Sequence, residues 1–134
     1  MGSFTNYLEN KLLDHVFGGG NYTRPATLYI GLSTSDPGET GSTAGEPSGN
    51  GYARVAVVNN ATNFPAASGG AKSNGTPIEF SEATGAWGTV THFFIADNST
   101  GGNVLGYGAL NVPKSPTAGD IVYFKANDLD ITLT

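Results

Sequence analysis

The chain has 134 residues, a mass of 13.7 kDa and a net charge of −5, and it lacks cysteine. Only 13% of it is Asp, Glu, Lys or Arg, whereas Gly, Ser, Thr and Asn supply 57 residues. This fits one domain and excludes a disordered chain, a helical bundle and any disulfide or thiolate-zinc framework, leaving a β-rich fold with long uncharged loops.

At the start, Phe4, Leu8, Leu12 and Val16 recur at a spacing of four, and Leu13 and Phe17 widen the stripe. This predicts an amphipathic helix over 5–17, within an N-terminal helical arm of 1–20 that docks through its Leu/Phe stripe. Asn6, with Glu9 three residues on, is the expected N-cap, and Gly18-Gly19-Gly20 the stop. The period then changes to two. Leu28, Ile30 and Leu32 mark a half-buried strand, and Tyr52–Val58 a second one. Between them, 34–51 is a long polar surface loop, and 59–77 is another, with a short extended piece near Phe64. Further strands are expected at Ile78–Phe80, Trp87–Ala96, Val104–Val112, Ile121–Ala126 and Leu129–Leu133. Asp97–Gly102 suits a hairpin turn, and Asn127-Asp128 a tight one. Gly106 and Gly108 share a face, which predicts a bulge or another backbone close by. Seven or so short strands without intervening helices predict a mainly β, antiparallel sandwich or barrel in a single domain over 1–134.

Chemistry is harder to find. The six basic residues are scattered singly, so nucleic acid is not an expected partner. No apolar run approaches the ~18 residues of a membrane span, and Met1-Gly2-Ser3-Phe4 lacks the basic and apolar regions of a secretory signal. His92 with Asp97 and a serine could form a triad only on paper, since no GxSxG occurs; His92 and His15 are better read as structural. The pairs Glu79/Glu82 and Asp128/Asp130 are candidate paired carboxylates. The second pair reads more simply as the solvated face of a strand whose other face carries Leu129, Ile131 and Leu133. Asp97–Gly102 begins like a calcium loop but lacks its acidic twelfth position, which leaves only an incidental ion at Asp97, or among Asp36, Glu39 and Glu46, as a minor alternative. The four Asn-x-Thr sequons at Asn21, Asn60, Asn74 and Asn98 mark surface loops. The sequence thus assigns no catalytic, cofactor-binding or metal-ligating residue, and no enzyme is expected. The six tyrosines suit either protein contact or the rim of a core.

The run FTNYLENKLLDHVFGGGNYTRPATLYIGLSTSDP (Phe4–Pro37) resembles the N-terminal segment of small virion proteins of tailed bacteriophages. GYARVAV (Gly51–Val57), ATGAWGTVTHFFIAD (Ala83–Asp97) and GNVLGYGALNVPKSPTAGD (Gly102–Asp120) extend the resemblance in the same order. It implies a jelly-roll-like sandwich and a structural role without cofactor. Fibre proteins are long and repetitive, whereas this chain is short and unrepeated. The favoured expectation is therefore a capsid cement or decoration protein. It would be made in the host cytoplasm and sit on the capsid surface as a homo-oligomer (dimer or trimer), binding the phage major capsid protein and stabilising the shell. The alternative is a tail or tail-fibre-associated protein contacting baseplate or host. A second alternative is a carbohydrate-binding sandwich with Trp87 or Tyr107 as stacking platform.

Overall fold

The computed structural model describes residues 2–133. Its elements in chain order are β1 (Gly2–Phe4), α1 (Asn6–Val16), β2 (Thr27–Ser33), β3 (Val55–Val58), β4 (Ala71–Ser73), β5 (Ile78–Glu79), β6 (Val90–Ala96), β7 (Val104–Lys114), β8 (Tyr123–Phe124) and β9 (Asp130–Thr132). Seven strands form a curled sheet in the order β3-β2-β6-β7-β1-β9-β4, and β5 and β8 form a small second sheet. All pairs are antiparallel except β1 with β9. The fold is mainly β and sandwich-like, with one short helix.

The centre of the sheet follows from sequence pattern. In β6, Val90, Phe93 and Ile95 belong to the main core, whereas Phe94 and Ala96 are buried on the opposite face with Val104. Burial on both faces explains why FFIA reads as a continuous apolar run instead of an alternation. The main core lies between this sheet and the small one. There Phe80, Trp87 and Phe124 meet edge-on, and Phe124 meets Phe93 with ring centroids 6.0 Å apart. Gly31, on β2, pairs with Phe94 of β6, and a Cβ at Gly31 would collide with the Phe94 ring. A strand glycine here gives an aromatic ring its place.

The predicted close approach at Gly106 is present: a Cβ there would lie 3.2 Å from the Ser3 carbonyl oxygen on β1. Strand β1 itself carries no pattern in three residues. It sits between β7 and β9, where a Cβ on Gly2 would be 2.7 Å from the Asp130 carbonyl oxygen. Residues 2–4 of the expected helical arm are thus part of the sheet. Strand β4, equally short, pairs with β9 inside the predicted loop 59–77, and Phe64 anchors that loop in the core without forming a strand. The predicted strand at 121–126 shortens to Tyr123–Phe124, but its alternation holds, with Val122 and Phe124 buried and Tyr123 exposed.

The helix forms where its period placed it, with two corrections. Thr5, not Asn6, is the N-cap: its hydroxyl accepts from the Leu8 amide at 3.4 Å and donates to the Val104 carbonyl at 2.6 Å. That second bond is long-range, so a buried threonine joins helix to sheet where a local capping rule selected its neighbour. The apolar stripe also does not dock along its length. Leu8 is buried and Leu12 half-buried, but Leu13, Val16 and Phe17 are 57%, 64% and 74% exposed. The first turn is anchored and the remainder projects, ending as expected at Gly18 with φ of 119°.

Candidate functional site

Most of the residues singled out as candidates for chemistry make hydrogen bonds within the molecule. His92 Nδ1 lies 2.8 Å from the Thr91 hydroxyl, and its Nε2 is 3.9 Å from Asp36, not Asp97. His15 Nδ1 accepts from the Tyr22 amide at 3.1 Å, tying the helix to the chain that returns from it. Asp97 caps its hairpin turn, accepting from the Asn103 amide at 2.7 Å and from Asn103 Nδ2 at 3.0 Å. Asp36 accepts from the Gly38 amide at 2.9 Å, and Glu39 from the Tyr107 hydroxyl at 3.0 Å. Asp130 accepts from the Ser73 hydroxyl, while Asp128 accepts from the Lys125 amide at 3.3 Å across the tight turn. Glu79 and Glu82 are exposed. Among the described residues no group of three His, Asp or Glu side chains is placed to hold a metal ion. Trp87 is buried, and its indole N–H donates to the Asn50 carbonyl at 2.8 Å, so the proposed stacking platform is a core anchor.

The strongest electrostatic feature is one that no motif announced. Arg54, just ahead of β3, has a side chain only 2% exposed. Its Nε and Nη2 donate to both oxygens of Glu46 at 2.8 and 2.9 Å, a bidentate fork. Its Nη1 donates to the carbonyls of Asn98 and Gly101 at 2.8 and 2.9 Å, and its guanidinium lies 4.9 Å from the Phe94 ring centre. The Tyr52 hydroxyl donates to Glu46 at 2.7 Å and accepts from the Leu32 amide at 3.0 Å. One arginine thereby joins the 34–51 loop, the Asp97–Gly102 turn and the outer face of the sheet. The hydrogen bonds to Glu46 hold the Arg54 pKa above its ordinary value. Burial first, and then the bond to Glu46, pushes the Tyr52 hydroxyl well above the ordinary tyrosine range.

A tyrosine whose folded pKa exceeds its unfolded value of 10.0 contributes stability that is complete below that value and is lost as pH rises beyond it. Chemical denaturation between pH 9 and 12 should therefore show an alkaline limb falling by up to about 1.4 kcal/mol per pH unit. Tyr52→Phe should flatten that limb while lowering stability at neutral pH. An unchanged limb in the variant would remove Tyr52 from this role.

The 34–51 loop is otherwise stitched to the body. The Thr34 amide donates to the Gly45 carbonyl at 2.8 Å, and the Asn6 amide donates to the Glu39 carbonyl at 2.9 Å. Much of its polar capacity is used within the molecule. The 59–77 loop behaves likewise through Asn74, which is 1% exposed. Its Nδ2 donates to the carbonyls of Thr76 and Lys125 at 2.8 and 2.9 Å, and its Oδ1 accepts from the Leu129 amide at 2.9 Å. Asn74 therefore departs from the sequon reading, which placed it on the surface; Asn21, Asn60 and Asn98 are exposed.

Two adjacent apolar features stand out on the outside: the projecting end of α1, and a cavity of about 570 Å³ between the 59–73 segment and the inner face of the sheet. No helix among the described residues is long and apolar enough to cross a membrane. A search of the curated proteins finds no match. Residues 3–132 match the family described as Podophage GP4 fiber I protein gp80. Nearly the whole chain is covered by that match, and it belongs to this family of structural proteins of the tailed-phage virion.

Proposed function

We propose that the chain is a tail-fibre-associated structural component of the virion, working by contact and without catalysis. The observation that carries this reading is the family match over 3–132, whose description names a fibre protein. The geometry supports it: the carboxylates and histidines singled out as candidate machinery are largely committed to turns, caps and an internal ion pair.

The short, unrepeated chain favours a second reading, a cement protein binding the major capsid protein on the shell surface. The two differ in stoichiometry. Tail attachment predicts a copy number in purified virions far below that of the major capsid protein, which quantitative mass spectrometry measures directly.

A further inference from the structure

Among the described residues, two apolar surfaces without a cover lie side by side. The first is the projecting end of α1, where Leu13, Val16 and Phe17 stand largely in solvent. Soluble chains seldom leave three neighbouring large apolar side chains exposed unless they meet something. The second is the cavity of about 570 Å³, lined by Phe4, Leu28, Phe64, Ile95, Leu105 and Ile131 among others. Its size falls in the range of about 300–1,000 Å³ that holds drug-sized organic groups, so a Phe and a Val side chain fit with room to spare.

Charge selects the occupant. The chain has 11 acidic and 6 basic residues, yet the cavity is lined by two of the basic ones, Arg24 and Lys72, and by no Asp or Glu. Neither cation takes part in an ion pair among the described residues. The complementary object is an apolar knob carrying a carboxylate. The end of α1 is such an object: Asp14 is exposed on the same helical end as Leu13, Val16 and Phe17.

We infer that the knob of one copy enters the cavity of a second copy of this chain. Leu8 of the same helix already lines the cavity, so knob and cavity lie only roughly 8–13 Å apart along α1. Adjacent complementary patches of this kind pair reciprocally about a two-fold axis, each copy giving its knob and receiving the other's. Reciprocity matters for area, because a stable interface needs about 800 Å² from each partner, and a two-fold arrangement has each copy contribute both its knob and its cavity. This pairing goes beyond the proposed function and does not depend on where in the virion the chain sits.

Sedimentation equilibrium of the full chain, with native mass spectrometry of the same preparation, tests the pairing. The wild type should be a dimer. Phe17→Ser removes an exposed side chain from each of two contacts, and should raise the dissociation constant about a hundredfold or more while leaving the circular dichroism spectrum unchanged. The double variant Arg24→Glu with Lys72→Glu should weaken the dimer in the same direction, and more at low salt than at high salt. A strictly monomeric wild type, an oligomer that either variant leaves intact, or a cavity found filled by a co-purifying fatty acid overturns the inference.

Discussion

Glu46→Ala should lower the unfolding free energy by about 3–5 kcal/mol, the usual cost of removing one partner from a buried ion pair. For a domain of this size that is a fall of roughly 10–20 °C in melting temperature, and a large part of a total stability of about 5–15 kcal/mol. The reason is geometric. With Glu46 gone, Arg54 remains buried with only the Asn98 and Gly101 carbonyls as acceptors, and the Tyr52 hydroxyl loses its acceptor as well. Arg54→Ala should cost a similar amount, since it strands Glu46 and uncovers the Phe94 ring. The double variant Glu46→Leu with Arg54→Met should be much less damaging than the sum of the single changes, because no unpaired charge remains. Urea denaturation of the wild type and the three variants measures these differences. Single-site losses below about 1 kcal/mol would place the pair among ordinary surface salt bridges.

Asn74→Ala should cost about 3–5 kcal/mol, because three backbone groups lose their partner together. The Thr76 and Lys125 carbonyls and the Leu129 amide all converge on its side-chain amide, in a site closed to solvent. Asn74→Asp is the informative control. A carboxylate could still accept from Leu129, but it would place an oxygen against two carbonyl oxygens, so it should not rescue. Loss of the 59–77 anchor should also appear as early proteolysis near residues 66–70, the exposed stretch next to β4. If Asn74→Ala melts within a few degrees of the wild type, water fills the gap and the residue is not the anchor described here.

The parts of this fold that could be read from the chain are those carried by a long local period. The α1 stripe, the Trp87–Ala96 run and the Val104–Val112 run each span enough residues for a pattern to emerge, and the structure has an element at each. Strands β1 and β4 are three residues apiece, too short for a period, and exist because β9 and β7 offer them edges. Local capping chemistry favours Asn6, with Glu9 three residues on; a carbonyl 99 residues away selects Thr5. The helix stripe was real as a pattern, but a pattern does not say how far along its length another surface follows.

The internal polar sites were hidden for a related reason. Arg54 looked like one of six scattered cations, and Glu46 like a loop carboxylate, because eight residues of turn-rich chain separate them. A lone arginine inside the apolar segment YARVAVV was the available signal: a charge at the start of a buried strand needs a partner. Asn74 shared its sequon with Asn21, Asn60 and Asn98, so nothing local distinguished it from the exposed asparagines. The composition that indicated long uncharged loops in part reflects loops bonded to their own domain. Candidate contact surfaces are the apolar features left over, the end of α1 and the cavity beside it.

The most direct test of the tail-fibre placement is the molar ratio of this chain to the major capsid protein in purified virions, measured by mass spectrometry with isotope-labelled standards. A component of the tail apparatus follows its low rotational symmetry and should number roughly a dozen copies or fewer per particle. A ratio corresponding to copies on the order of hundreds, as the icosahedral symmetry of a shell demands, would contradict the fibre placement and assign the chain to the capsid surface.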